Sequence, residues 1–334
     1  MTEPRAMFDA MRYLFSLLLF ASAVGVAQPQ PAWKPDKPVE LIIGAAPGGA
    51  NDRIGRSLQR VLQEERSLPA GISVINKPGG GQSIAFAYLN THPNNPHYLA
   101  LASSSWLTTV AAGLGSITHR DVSPIVKLLD EYQVYFVKTD SAIRDARDVV
   151  DGLKKDPASL SFGFSTAAGN PLHISIANIA RLAGADPARL KAVVFNSGAE
   201  TATQVAGGHL DVGVQSAGSA MPLAQAGKIR IIGVAGPQRL TGPLASIATM
   251  REQGVDVIAP VFYVIFGPKG LDGAQRAYWD QTLSAVMQSD LIKKDLEANS
   301  WTVDLIGHRE LPAFLEKEYQ NYRRVLTEMG MVKK

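Results

Sequence analysis

The chain contains no cysteine in 334 residues. That excludes disulfides, thiolate nucleophiles and cysteine-ligated metals. There is little excess charge: the formal net charge is +3. The basic pairs Lys154-Lys155, Arg323-Arg324 and Lys333-Lys334 are scattered and lack interleaved aromatics. They read as solvated faces, and no nucleic-acid partner is expected. His92, His97, His119, His173, His209 and His308 show no short metal-ligand spacing, so neither a metal nor a cofactor is expected. There is no low-complexity tract and no repeat at a period of about 20 to 50 residues. No stretch after residue 27 is apolar enough to cross a bilayer, and stable membrane insertion is not expected.

Enzyme signatures are also missing. Gly163-Phe164-Ser165-Thr166-Ala167 lacks the final glycine of a nucleophile elbow. Gly44 to Ala50 ends without the Lys-Ser/Thr of a P-loop, and no Gly-x-Gly-x-x-Gly opens the helix that follows. The enzymatic alternative is a serine hydrolase built on Ser103 or Ser165 with His173.

Near the N-terminus, Arg12 precedes an apolar stretch, Tyr13 to Val26, of signal-peptide length. Gly25 and Ala27 give a small-x-small cleavage pattern, and residues 1–27 are expected to be removed on export. Glu3 and Asp9 suit a basic leader poorly, which points to a translation start at Met7 or Met11. A membrane anchor or a buried helix is the alternative reading. With no cysteine for lipid attachment, the product is expected free in the periplasm. The remainder is long enough for two lobes with substantial cores.

The most informative stretch follows. Val39 to Ile43 is an apolar strand that enters Ala46-Pro47-Gly48-Gly49, and a helical pattern then places Ile54, Leu58, Val61 and Leu62 on one face. Glycines at a strand-to-helix turn expose backbone N–H groups, and the helix N-terminus adds partial positive charge. Together they suit a small anion, most simply a carboxylate. Nothing in the turn is a nucleophile, so holding is expected rather than reaction.

Short strands alternate with helices along the chain. The strands are expected at 72–75, 98–102, 134–137, 160–164, 193–195, 212–214 and 229–234. Helices are expected at 51–65, 83–89, 146–153, 173–183, 200–206, 219–226, 274–288 and 310–329. The alternation predicts an α/β protein with mostly parallel sheets. Such folds bind ligands at the carboxyl ends of their strands. Small polar residues and glycines collect there: Gly48, Gly49, Ser103, Ser104, Ser165, Thr166, Gln215 and Ser216.

Six segments in order resemble one family. Lys37-Pro38-Val39 leads into the first strand, and Ala46-Pro47-Gly48-Gly49 with Asp52 forms a Pro-Gly-Gly-x-x-Asp turn. Asn76-Lys77-Pro78-Gly79-Gly80-Gly81 forms a glycine loop, and Ser165-Thr166 runs through Gly169 to His173. Gly207-Gly208-His209-Leu210-Asp211 and Ala226-Gly227-Lys228-Ile229-Arg230 complete the set. The chain thus resembles the tripartite tricarboxylate transporter receptor family of Bug-type periplasmic solute-binding proteins. The resemblance implies a two-lobed Venus-flytrap fold, type II-like, with two hinge crossings and a small carboxylate in the cleft. It also implies delivery to membrane transporter subunits or, in some members, to a sensor kinase. A monomer is expected.

Under that resemblance the ligand-binding residues are Ala46, Gly48, Gly49, Asp52, Ser103, Ser104, Ser165, Thr166, Gln215 and Ser216. Gly48 and Gly49 would offer N–H groups, and Asp52 would cap the helix or orient the loop. Ser103 and Ser104 would donate hydroxyls from the first lobe, Ser165 and Thr166 from the second. Gln215 and Ser216 would face the cleft, where a neutral amide suits an uncharged distal ligand group. His173 reads as a hydrogen-bonded core residue, Asp211 as a turn residue, and Tyr263 either lines the cleft or belongs to the core. Ala45-Ala46, Ala167, Phe195-Asn196-Ser197-Gly198 and Val261-Phe262-Tyr263-Val264 depart from the family pattern, which points to a ligand unlike the simple dicarboxylates. Lobe one is expected over 36–136 and 259–334 and lobe two over 137–258, with hinges near Val137-Lys138 and Ala259-Pro260.

Overall fold

One long strand organises the molecule. The computed structural model describes residues 33–333; the expected signal segment, residues 1–27, lies outside them. Residues 34–333 form one compact unit. The strands are β1 (Val39–Ile43), β2 (Ile72–Asn76), β3 (Tyr98–Ser103), β4 (Ser123–Lys138), β5 (Ser161–Ser165), β6 (Lys191–Phe195), β7 (Val212–Ser216), β8 (Ile229–Val234), β9 (Pro260–Gly267) and β10 (Trp301–Gly307). The helices are α1 (Ala50–Glu64), α2 (Ser83–Asn90), α3 (Ser104–Ala111), α4 (Ala146–Lys155), α5 (Pro171–Leu182), α6 (Gly198–Ala206), α7 (Ala217–Gln225), α8 (Gly273–Gln288), α9 (Asp290–Asn299) and α10 (Leu311–Glu328).

β4 belongs to two sheets. Its first part, Ser123 to Tyr132, pairs with β9 on one side, and Val126 to Glu131 pair with β10 on the other. From Gln133 onward its neighbours are β7 and β8. The first sheet therefore runs β2-β1-β3-β9-β4-β10 and the second β8-β4-β7-β5-β6. The parallel pairings expected from the β-α alternation occur in β2-β1-β3 and in β6-β5-β7. The five pairings made by β4 and β9 are antiparallel. The expectation of mostly parallel sheets thus holds for these outer triplets, which helical crossovers connect, and gives way where β4 and β9 run through the middle.

The pleat of β4 divides the second half between two cores. Tyr135 and Val137 pack with α4 and α5 in one, while Val134 and Phe136 pack with α6 and α7 in the other. The first sheet builds its core around Phe86, Trp106, Phe262 and Phe266, closed by Leu311, Leu315 and Leu326 of α10. Phe86 and Trp106 stack with centroids 3.7 Å apart. Among the described residues, no helix is long and apolar enough to cross a membrane.

Candidate functional site

The β1–α1 turn spends its own hydrogen-bonding capacity. Gly49 is the N-cap of α1 and Asp52 stands in the first turn. The Asp52 carboxylate accepts from Gly48 N–H, Arg56 Nε and Asn76 Nδ2, each at 2.9 Å. Burial would raise its pKa, but these hydrogen bonds and the Arg56 charge outweigh it and hold the group at about 2. Gly49 N–H points to Ala46 O at 3.4 Å. The two amides expected to face a ligand are therefore engaged within the turn, because a carboxylate at the third helical position reaches back over the loop. Ala46 and Gly48 are exposed, and Asp52 is buried.

A deeper set of polar groups lies beside the turn. Gly79, Gly80, Gly81 and Gln82 have φ of 118°, 58°, 58° and 76°. Such a left-handed run is open to glycine and uncommon for other residues. Gln82 N–H donates to Gly79 O and Ser83 N–H to Gly80 O, so the turn's own bonds leave the Gly80 and Gly81 amides unused. The run pushes the Gln82 side chain under β3. Its Nε2 donates to Ser103 Oγ at 2.9 Å, and its Oε1 accepts from Asn51 Nδ2 and Ser103 N–H, both at 3.2 Å. Gly44 makes room for this: a Cβ there would lie 2.7 Å from Gln82 Cβ. Ser103 Oγ, already an acceptor for Gln82, keeps its own proton for another partner.

The opposite wall comes from the β5–α5 loop. Thr166 has φ +78°, a costly conformation for a β-branched residue. It is held there by donation of its N–H to Phe195 O at 3.0 Å and of its hydroxyl to Ser165 O at 2.7 Å. Asn170 Nδ2 donates to Ser165 O at 2.7 Å and to Thr166 Oγ1 at 2.8 Å, while its Oδ1 caps α5 by accepting from His173 N–H at 3.0 Å. Beneath this loop, Ser165 Oγ donates to Gln215 Oε1 at 3.0 Å, and Gln215 Nε2 donates to Thr201 Oγ1 at 3.1 Å.

Between these walls lies a cleft of about 550 Å³. Ala45, Gly80, Gly81, Gln82, Ser103, Ser105, Thr108 and Thr109 line one side, and Thr166 to Asn170 line the other. The cleft brings together Ser103 and Thr166 of the residues singled out by sequence. Ala46 and the Pro-Gly-Gly turn stand beside it next to Ala45. Ser104 is fully buried, facing the Tyr322 hydroxyl. Ser165 and Gln215 support the far wall from below, and Ser216 bonds Ser219 Oγ at 3.3 Å. The sequence reading missed Gln82, Ser105, Thr109 and Asn170. The Asn-Pro start of α5 and the glycines before Gln82 were the available signals. A second groove, about 730 Å³, separates α7 from α9 and carries Lys294 and Glu297, but holds none of the expected residues.

His173 is a supporting residue. Its Nδ1 accepts from Gly169 N–H at 3.1 Å, its ring stacks on Phe164 and burial lowers its pKa to about 4. Its Nδ1 and the Ser165 hydroxyl thus serve different partners, Gly169 N–H and Gln215 Oε1. Tyr263 is core: its hydroxyl donates to the buried Glu131 at 3.0 Å. Among the described residues, no group of histidine, aspartate and glutamate is placed to hold a metal.

The profile of the tripartite tricarboxylate transporter family receptor matches residues 54–331. The chain belongs to that receptor family. Protein BugT of Bordetella pertussis is 22% identical over 327 residues, covering 96% of this chain and 98% of BugT. A TctC solute-binding protein from Polaromonas superposes with a TM-score of 0.75 at 21% identity, covering 88% of this chain and 99% of that one. An R. palustris protein solved with adipate gives 0.72 at 20% identity, covering 89% and 98%. These structures show that the receptor shares the two-lobed periplasmic binding-protein fold.

Proposed function

We propose that this receptor captures a small carboxylate-bearing metabolite in the 550 Å³ cleft and delivers it to the membrane subunits of a tripartite tricarboxylate-type transporter. One observation carries the reading: the Gln82–Ser103 pair and the Thr166–Asn170 loop, far apart in sequence, face each other across one cleft. Amides and hydroxyls are the donors that hold a carboxylate without altering it. Each charge-assisted hydrogen bond contributes about 1.5–3 kcal/mol. Several of them support micromolar affinity, about −8 kcal/mol, after closure costs.

The change of β4 partners between Tyr132 and Gln133 supports one hinge crossing there, earlier than the Val137–Lys138 expectation. The second crossing stays at Ala259-Pro260, where β9 begins. Export with loss of residues 1–27 completes the reading; amino-terminal sequencing of periplasmic protein checks it.

A thermal-shift screen across carboxylic acids tests the binding step. A ligand at about 100 times its dissociation constant adds about 2.7 kcal/mol. If no acid raises the melting temperature, the reading fails. Uptake of a binding acid by cells carrying the membrane subunits, with and without the receptor, tests delivery.

A further inference from the structure

We propose that the outer edge of β6 is an interface for a second copy of this chain, the two β6 strands pairing antiparallel about a two-fold axis at Val193. β6 ends the second sheet and, among the described residues, pairs only with β5. Val193 is 42% and Val194 44% exposed, on opposite faces of the strand. Native sheets blunt such an edge with proline, a bulge or a central charge. The run Lys191-Ala192-Val193-Val194-Phe195 has no proline, no central charge and an unbroken register with β5.

The backbone groups on this edge are self-complementary. Phe195 O accepts from Thr166 N–H at 3.0 Å, so Phe195, Val193 and Lys191 turn their backbone groups toward β5. Ala192 and Val194 turn theirs outward. With Val193 opposite its own copy, Ala192 of each strand faces Val194 of the other, and each such pair exchanges two hydrogen bonds. The axis repeats the pair, so both strands spend all their outward groups at these two residues.

The side chains match as well. Phe195 packs with α6 and Ala192 with α4 and α5, which assigns Val193 to the first face and Val194 to the second. Val193 then meets its own copy and Val194 meets Ala192, so apolar surface leaves water on both faces. Lys191 falls opposite the second copy's Phe195, one residue from Asn196, whose N–H donates to the Glu200 carboxylate at 3.1 Å. Lys191 is exposed and has no ion pair among the described residues, so each copy brings a cation to the other's anion. A ladder this short buries less than the roughly 1,600 Å² of a standard interface, so the dimer is expected to depend on concentration. Pairing also braces the strand whose Phe195 carbonyl holds Thr166 at the cleft wall.

Sedimentation velocity on the mature protein, over a hundredfold range of concentration, is expected to show a monomer–dimer equilibrium. Val193→Lys sets like charges across the axis at an exposed position, where folding tolerates it, and is expected to weaken the dimer at least tenfold. Val194→Pro removes an outward N–H from an edge strand and is expected to do the same, with circular dichroism unchanged in both variants. Cross-linking fixes the register. The chain has no cysteine, so Val193→Cys places a single thiol opposite its copy, within reach of a disulfide. Mild oxidation is expected to give a covalent dimer at least tenfold faster with Val193→Cys than with Val194→Cys, whose copies are offset along the strands. A chain that stays monomeric at every concentration overturns the inference and leaves the edge to a strand of another protein. A dimer that survives both Val193→Lys and Val194→Pro, or that cross-links equally at the two positions, has its interface elsewhere and also overturns it.

Discussion

Replacing Gln82 by alanine removes three hydrogen bonds at one step. Nε2 no longer reaches Ser103 Oγ (2.9 Å), and Oε1 no longer accepts from Asn51 Nδ2 or Ser103 N–H (3.2 Å each). Gln82 is 8% exposed and Asn51 is 7% exposed, so two donors are left without an acceptor in a nearly dry site. Each such group costs about 1–3 kcal/mol. The cleft adjoins the site, and water entering the vacated space offsets part of the loss. The expected destabilisation is about 2–3 kcal/mol. Backbone strain is not the cause, because glutamine and alanine are equally disfavoured at φ +76°. Urea denaturation at pH 7 measures the stability term, and calorimetry with a binding acid measures the functional one. Loss of the fixed Ser103 hydroxyl is expected to weaken the acid at least tenfold. Gln82→Glu separates the two effects. It keeps the side chain's shape and much of the stability, but sets a carboxylate against the ligand. At about 5 Å and an effective dielectric of about 20, that repulsion is about 3 kcal/mol, more than a hundredfold in affinity. A Gln82→Ala protein with wild-type stability and wild-type affinity would refute the reasoning.

Other outcomes follow from the same geometry. Asp52 has its pKa held at about 2, below the unfolded carboxylate value, so the stability it contributes is present above about pH 4 and is lost as pH falls toward 2. The stability difference between wild type and Asp52→Asn in urea is therefore expected to shrink on acidification; a constant difference would contradict the assignment. His173 has its pKa lowered to about 4 by burial, so the unfolded chain takes up its proton first and folding weakens as pH drops from about 6.5 to 4. His173→Gln is expected to flatten that part of the pH–stability profile. Gly81→Ala would drive its Cβ into Thr109 Oγ1 at a left-handed φ of 58°, with an expected loss of about 1–3 kcal/mol by thermal or urea unfolding. Thr109→Ala in the same chain is expected to recover the steric part and leave the backbone part.

The fold was legible where apolar periodicity was clean. β1, α1, β8 and α8 stand within one or two residues of their expected bounds. β4 was read only over 134–137, because its earlier part places Lys127, Asp130, Glu131 and Gln133 in the interior. Lys127 is tolerated there by Asp130 at 2.8 Å, by Asp304 and by the Phe314 ring. Burial nevertheless pushes Asp130 up to about 6. A strand that buries ion pairs does not alternate apolar with polar, so pattern alone does not find it. α3 was hidden by the Ser103-Ser104-Ser105 run, which reads as a loop but starts a helix.

The site was legible in its location more than in its donors. The rule that strand ends bind ligands led to Ser103 and Thr166, and both line the cleft. It named Asp52 among the ligand-binding residues and counted the Gly48 amide as free, whereas the Asp52 carboxylate takes that amide together with Arg56 and Asn76. Gln82 could not be read as the organising residue. Its role depends on three glycines in left-handed conformation and on the missing side chain of Gly44, all of which concern space and not residue chemistry.

The most direct measurement is a crystal structure of the mature protein grown with the tightest-binding acid from the screen. The expected result is a carboxylate between the Gly80–Gly81 amides and the Ser103 and Ser105 hydroxyls, with the Thr166–Asn170 loop closed over the ligand. An acid bound instead in the groove beside Lys294, or held without contact to either wall of the cleft, would contradict it.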